Sequence, residues 1–272
     1  MKKEMKKLMT AVVAVAIAGS VAGCFKNPTT GRTSLNLVPE GTLSSLSNEQ
    51  YNSFLSQNKR VTGTADAQMV QRVGSKLAQG IQAYYAGKGQ SSVLKGFNWE
   101  FNLVQDAQKN AFCMPGGKVV IYTGILPVTR DETGLAVVMS HEIAHAIARH
   151  GNERMSQGLI QQFGGVALSV ALADKPQETR NLFNTAYGVG TSVGVMLPFS
   201  RKHETEADLM GLDFMAMSGY NPSEAVGFWQ RMSSGAGGAP PELLSTHPSD
   251  ATRIKNIQSH LPQAMAIYNT KK

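Results

Sequence analysis

The 272-residue chain has few cysteines, no concentrated charge, no internal repeat and no apolar run that reads as a membrane span. Each absence excludes a class of protein. Two cysteines, Cys24 and Cys113, cannot build the disulfide framework of a small secreted scaffold. No block of lysine or arginine is present, so the formal charge of +7 leaves no nucleic-acid footprint. Part of that charge is terminal. The first 23 residues hold Lys2, Lys3, Lys6, Lys7 and Glu4, a net +3, which leaves +4 for the rest. Without a fixed period there is no solenoid or propeller. Residues 164–173 are apolar but too short to cross a bilayer, and glycines interrupt 178–196, so both read as core or membrane-surface helices. The length suits one large domain with an ample core.

What the chain does contain is His141-Glu142-Ile143-Ala144-His145. Two histidines four apart share one helix face and can hold one metal ion. Glu142 is placed to take a proton from water polarised by that ion. This is the H-E-x-x-H pattern of zinc hydrolases, and a chance match in a chain of this length is roughly a one-in-a-hundred event. Residues 135–139 and 143–148 are apolar or small apart from the motif, which predicts a buried helix with a polar stripe cut into it. Thr129, Asp131 or Glu132 supplies its start, and Gly151 suits its end. Cys113, buried and apolar in character, is a poor nucleophile candidate beside such a motif.

Catalytic zinc takes three protein ligands and keeps one position open. The candidates for the third are His150, His203, Glu204, Glu206, His247 and His260. His150 lies five residues past His145, off the metal face and near the helix C-terminus. Glu204 and Asp208 are four apart, so one can bind metal while the other orients a histidine ligand. Glu206 is about 200° round the helix from Glu204, so the two cannot both serve. On spacing alone, an acidic helix start is as readily a cap that suits the helix dipole.

The N-terminus reads as a targeting segment. A lysine-rich start is followed by the small, apolar residues 8–22, ending in Val21-Ala22-Gly23-Cys24, which resembles a bacterial lipobox. The resemblance implies cleavage before Cys24, with lipid on its thiol and new amino terminus. Phe25 rather than aspartate follows, which by the enteric sorting pattern implies the outer membrane. The expected location is therefore the bacterial cell envelope, lipid-anchored on the periplasmic side.

Three segments follow: 1–23 as signal peptide, 24–63 as anchor, tether and N-terminal wrap, and 64–272 as the chemical domain. Residues 66–86 carry apolar side chains at helical spacing. Residues 97–104 and Lys118, Val119, Val120, Ile121 and Tyr122 read as strands, the second after the Pro115-Gly116-Gly117 turn. Beyond Gly151 the chain is mostly helical: 156–173, 178–196, 204–217, 222–232 and 249–261, with a Gly/Pro-rich loop at 233–241.

Taken together, H-E-I-A-H followed by Ser200-Arg201-x-x-Glu204-x-Glu206-Ala207-Asp208 resembles the HtpX/Oma-type zinc metalloproteases, peptidase family 48 of the metallo class, which includes the CAAX prenyl proteases. Asn110-Ala111-Phe112 with Pro115-Gly116-Gly117 resembles the family's stretch before the cleft strand, and Thr246-His247-Pro248 with Arg253-Ile254 its last conserved element. The likeness covers roughly 66–261. It implies a mainly helical α+β, zincin-like domain with a small sheet beside the motif helix. It also implies one Zn2+ per chain on His141, His145 and Glu204, with Asp208 behind the ligands. The lipobox and the lack of spanning helices set the chain nearest the exported lipoprotein branch and away from the membrane-chamber CAAX type.

These readings define expectations. Glu142 acts as base and then as acid in peptide hydrolysis. The strand 118–122 pairs with an extended substrate, and Arg253 orients substrate or carboxylates. His247 either stabilises the oxyanion, fills the open zinc position in a latent state, or caps the last helix. Protein or peptide substrates, a membrane through Cys24 and envelope assembly machinery are the expected partners. The expected function is an endopeptidase of misassembled envelope proteins, the alternative being a chaperone-like assembly factor with a latent site.

Overall fold

The structure is a computed structural model that describes residues 23–163, 176–187, 200–234, 243, 247 and 251–271. The expected signal segment up to 22, the apolar run 164–173, residues 188–196 and most of the loop 233–241 lie outside the described residues, as do Thr246 and Pro248. A hairpin of β1 (Cys24–Lys26) and β2 (Thr33–Leu35) leads into α1 (Glu40–Gln57). Then come β3 (Arg60–Val61), α2 (Ala65–Gly87), β4 (Glu100–Val104), β5 (Ala111–Met114) and β6 (Lys118–Tyr122). The rest is helical: α3 (Leu126–Thr129), α4 (Glu132–Ile147), α5 (His150–Phe163), α6 (Pro176–Tyr187), α7 (Arg201–Met217), α8 (Glu224–Ser234) and α9 (Ala251–Asn269). The mainly helical α+β class is as expected. Among the described residues, no helix is long and apolar enough to cross a membrane.

The main sheet has the order β3-β4-β6-β5, with β4 and β6 parallel and the outer strands antiparallel. Strand side chains alternate between its faces. Phe101, Leu103, Ala111, Cys113, Val119 and Ile121 enter a core shared with α2, α4, α7, α8 and α9. Val104, Phe112, Met114, Val120 and Tyr122 enter a second core with α1, α5 and α6. Covered on both faces, the sheet accepts the near-continuous apolar run of β6, all five residues of which are buried.

That position corrects one expectation. β6 is bonded to β4 on one side and β5 on the other, so Lys118, Val119, Val120, Ile121 and Tyr122 have no backbone edge left for a substrate. Lys118 is tied to the Asn98 carbonyl at 2.8 Å and to Glu100. The outer strand on this side is β5, which packs against α4.

Helix α4 starts where the sequence indicated: Asp131 Oδ1 accepts a hydrogen bond from Gly134 N at 2.8 Å, a cap worth roughly 0.5–2 kcal/mol. Thirteen of its 16 residues are buried, so it is a central core helix rather than an amphipathic surface one. Its end differs from expectation. The helix stops at Ile147, and Arg149 takes the left-handed turn with φ 58°. Gly151 instead belongs to α5, where a Cβ would lie 2.0 Å from the Tyr187 ring. The last helix also outruns its expected end at 261, passing Pro262 because Ala264 is fully buried and Ile267 packs on the core. The segment 24–63 is more than a tether, since it carries a hairpin, an 18-residue helix and an edge strand of the main sheet.

Candidate metal centre

Helices α4 and α7 pack closely because Gly211 faces α4; a Cβ there would sit 3.3 Å from the main-chain nitrogen of His141 and from Ser140 Oγ. Ser200 Oγ accepts from His203 N at 3.3 Å and starts α7, which sets Glu204 one turn in and Asp208 one turn further. His141, His145, Glu204 and His247 are all buried and each offers one donor atom within 4.8 Å of the others.

The spacing of these donors is informative. His141 Nε2 is 3.1 Å from His145 Nε2 and 3.2 Å from His247 Nδ1. Glu204 Oε1 is 3.3 Å from His145 Nε2 and 2.9 Å from His247 Nδ1, and Glu204 Oε2 is 3.4 Å from His141 Nε2. A tetrahedral ion with bonds of about 2.0–2.1 Å separates its ligands by about 3.3 Å. Imidazole nitrogens this close repel through their lone pairs unless a proton or cation lies between them. The donor set fits one zinc ion, with His247 in the position that a catalytic site leaves for water.

The surrounding charges are paired. Asp208 Oδ1 lies 3.0 Å from His141 Nδ1, turning Nε2 inward. Arg253 donates to Asp208 at 2.7 and 2.8 Å, lies 3.0 Å from Glu204 Oε2, and stacks 3.5 Å over the Trp229 ring. Arg253 is therefore a buried clamp on the carboxylates, one of the two roles expected for it. Burial opposes the ionisation of Glu204, yet His247, Arg253 and hydrogen bonds from His141 and His145 hold its pKa well below the usual carboxylate range.

Glu142 points into the centre with Oε1 buried and without a hydrogen-bond partner, 3.6 Å from His247 Nε2. Burial pushes its pKa up to about 7 against the pull of His247, and the nearby Glu204 charge adds to the rise. Cys113 is buried beneath it, its thiol pKa raised first by burial and then by the Glu142 charge, so it is no nucleophile.

The other third-ligand candidates lie elsewhere. His260 pairs with Asp213 at 2.9 Å, and His203 with Glu153 at 3.0 Å. His150 points away from the donors, but its Nδ1 is 2.9 Å from His145 Nδ1 and its Nε2 is 2.9 Å from Glu206 Oε2. Glu206 in turn accepts from Asn27 Nδ2 at 2.8 Å and from Thr30 and Arg32. Spacing set His150 off the metal face and allowed only one of Glu204 and Glu206 as a ligand, but it carried no signal for this support; only the packing of α7 and the N-terminal hairpin brings it together. Cys24, exposed, opens β1 at the far end of that hairpin.

Among known proteins, the chain is similar to several that are named metalloendopeptidases. The mitochondrial metalloendopeptidase OMA1 of Schizosaccharomyces pombe is 38% identical over 181 residues, covering 66% of this chain and 51% of that protein. The OMA1 metalloendopeptidase of Homo sapiens is 29% identical over 249 residues, covering 89% and 46%. The beta-barrel assembly-enhancing protease of Escherichia coli is 29% identical over 170 residues, covering 61% and 35%. The chain spans about half the length or less of these relatives. The expected address in a bacterial outer membrane is overturned: relatives at 38%, 36% and 34% identity are named as mitochondrial. The address rested on a short terminal pattern, whereas these similarities cover 65–68% of the chain. The profile of peptidase family M48 matches residues 64–261, from the cap of α2 into α9 and through every member of the donor set, and the chain belongs to that family.

Proposed function

We propose that the chain is a zinc-dependent endopeptidase that hydrolyses unfolded or misassembled proteins. The observation that carries this is the convergence of three imidazoles and one carboxylate at zinc-ligand spacing beside Glu142, a buried carboxylate with no hydrogen-bond partner at Oε1. His141, His145 and Glu204 would hold the zinc, which supplies Lewis acidity and lowers the pKa of a water. Glu142 is the base: a carboxyl held near neutrality can take a proton from water and return it to the leaving amine. Asp208 and Arg253 position the ligands. An extended substrate adds to β5, the outer strand beside α4, through its backbone, which favours unfolded clients over a fixed sequence. The name of the Escherichia coli relative, which links that protein to β-barrel assembly, supports a quality-control role. Lipid attachment at Cys24 belongs to the same reading and is tested by intact mass.

One observation favours a latent form of this enzyme. His247 Nδ1 stands with the three ligands, and its backbone N donates to the Leu243 carbonyl at 2.8 Å, while Leu243 N donates to Lys109 O at 3.2 Å, just ahead of β5. His247 must therefore leave that position before a water can take it.

The deciding experiment measures zinc content and casein cleavage for wild type and Glu142→Gln. Zinc in both with cleavage in wild type alone is expected, the loss being on the order of 100- to 10,000-fold. Cleavage retained by Glu142→Gln would overturn the mechanism. A chaperone without protease activity predicts no cleavage by either protein, even with His247 replaced.

A further inference from the structure

We propose that His150 and Glu206 are positioning residues of the metal centre, which hold His145 in the tautomer that presents Nε2 to the ion and tie that ligand to the N-terminal hairpin. The inference rests on the metal reading above and extends it to residues outside the donor set.

The direction of each hydrogen bond follows from the partners. Glu206 is surrounded by groups that can only donate to it, the Asn27 amide and the Arg32 guanidinium, and by the Thr30 hydroxyl. It therefore accepts from His150 Nε2, 2.9 Å away. With its one proton on Nε2, the His150 ring has a lone pair on Nδ1. That lone pair faces His145 Nδ1 at 2.9 Å and accepts its proton. His145 Nε2 is then left with a lone pair, and it is this atom that meets His141 Nε2 and Glu204 Oε1. The opposite order would put a proton on His145 Nε2 and close it to any cation. His141 gets the same service from a single carboxylate, Asp208, whereas His145 is served through an interposed ring.

The chain of contacts continues outward. His150 is fully buried and stacks on His203 with ring centroids 4.4 Å apart. Arg32 bridges Glu206 and Glu153. Asn152 and Ser156 on α5 hold the segment after the hairpin through Val38 and Leu37. The hairpin is thus fastened to the helix that carries His150 and, through Glu206, to the helix that carries Glu204.

The test uses the full chain and reads zinc affinity by competition with a chromogenic chelator, with thermal melts of the metal-free protein alongside. His150→Phe keeps a ring on His203 but removes the acceptor; His150→Asn loses the ring but keeps an acceptor near the position of Nδ1. The proposal expects zinc binding weaker by about 10- to 100-fold in His150→Phe and largely restored in His150→Asn. A merely structural role predicts the reverse order, following the melts. Wild-type affinity in His150→Phe, or equal losses in both variants, would overturn the proposal while leaving the zinc centre in place. A wild type that binds no zinc would overturn both. Should His150→Phe fail to fold, Glu206→Leu, which leaves His150 Nε2 without that acceptor, decides: weaker zinc binding by the folded variant supports the proposal, and unchanged affinity overturns it.

Discussion

Replacing His247 with alanine is expected to make the protein a faster protease and a poorer zinc binder, by one shared factor. In the structure the fourth donor position is taken by His247 Nδ1. Opening the centre removes that contact and loosens two others, His247 N to Leu243 O at 2.8 Å and Arg253 Nη1 to His247 O at 3.4 Å. At roughly 0.5–1.5 kcal/mol net for each hydrogen bond, the closed form is favoured by about 1–3 kcal/mol. Between roughly one chain in five and one in 150 is then open at any moment. His247→Ala keeps both main-chain bonds but removes the imidazole, so the closed form no longer fills the fourth position. Cleavage of an extended peptide, followed as kcat/KM, rises by about 5- to 150-fold. Zinc affinity, read by chelator competition, falls by the same factor, because the closed form no longer adds to binding. Opposite changes of equal size are the signature of a removable fourth ligand. A variant that loses cleavage along with zinc would refute the reasoning and make His247 a group needed in the reaction itself.

Arg253→Lys replaces a planar fork that contacts Asp208 twice and Glu204 once with a point charge, so zinc affinity should fall by about tenfold in the same competition assay; an unchanged affinity would show that the clamp does not act on the ligands. Gly134→Ala places a Cβ 2.0 Å from the Thr129 carbonyl oxygen, which should cost about 1–3 kcal/mol, visible as a lower urea midpoint. Glu153 and Glu206 both have pKa values lowered to about 2, because hydrogen bonds from His203 and Arg32 to Glu153, and from His150, Thr30 and Arg32 to Glu206, outweigh the effect of burial. Each binds its proton more weakly in the folded chain than in the unfolded one, so their contribution to stability is present above about pH 4.5 and lost as pH falls towards 2. Urea midpoints across that range should decline, and Glu153→Gln should flatten the decline.

Much of this was legible in the sequence where local rules apply. The H-E-x-x-H spacing places His141 and His145 on one face whatever surrounds them, and the Asp131 cap and the apolar run predict the helix that carries them. Glu204 and Asp208 were paired by the same four-residue arithmetic, with resemblance needed to say which one meets the metal. The strand 118–122 was found as a strand, but its neighbours were not, because pairing is a property of the sheet and not of the segment; an interior strand and an edge strand of the same composition read alike. Helix ends were misjudged at Gly151 and Pro262, where tertiary contacts with Tyr187 and the core outweigh the usual stop signals.

By itself, then, the sequence determined the chemistry at hand: which donors exist, that two of them share a helix face, and that a carboxylate stands between them. Those are short-range facts, settled by a helical repeat of 3.6 residues. Only the tertiary structure decided how the centre is set. It put His247 with the three ligands, turned Arg253 inward onto the carboxylates, closed both edges of β6, and set His150 and Glu206 behind His145. These depend on contacts between residues about 50 to 180 positions apart, such as Asn27 with Glu206 and His141 with His247, whose meeting is dictated by how whole elements pack and leaves no trace in local spacing.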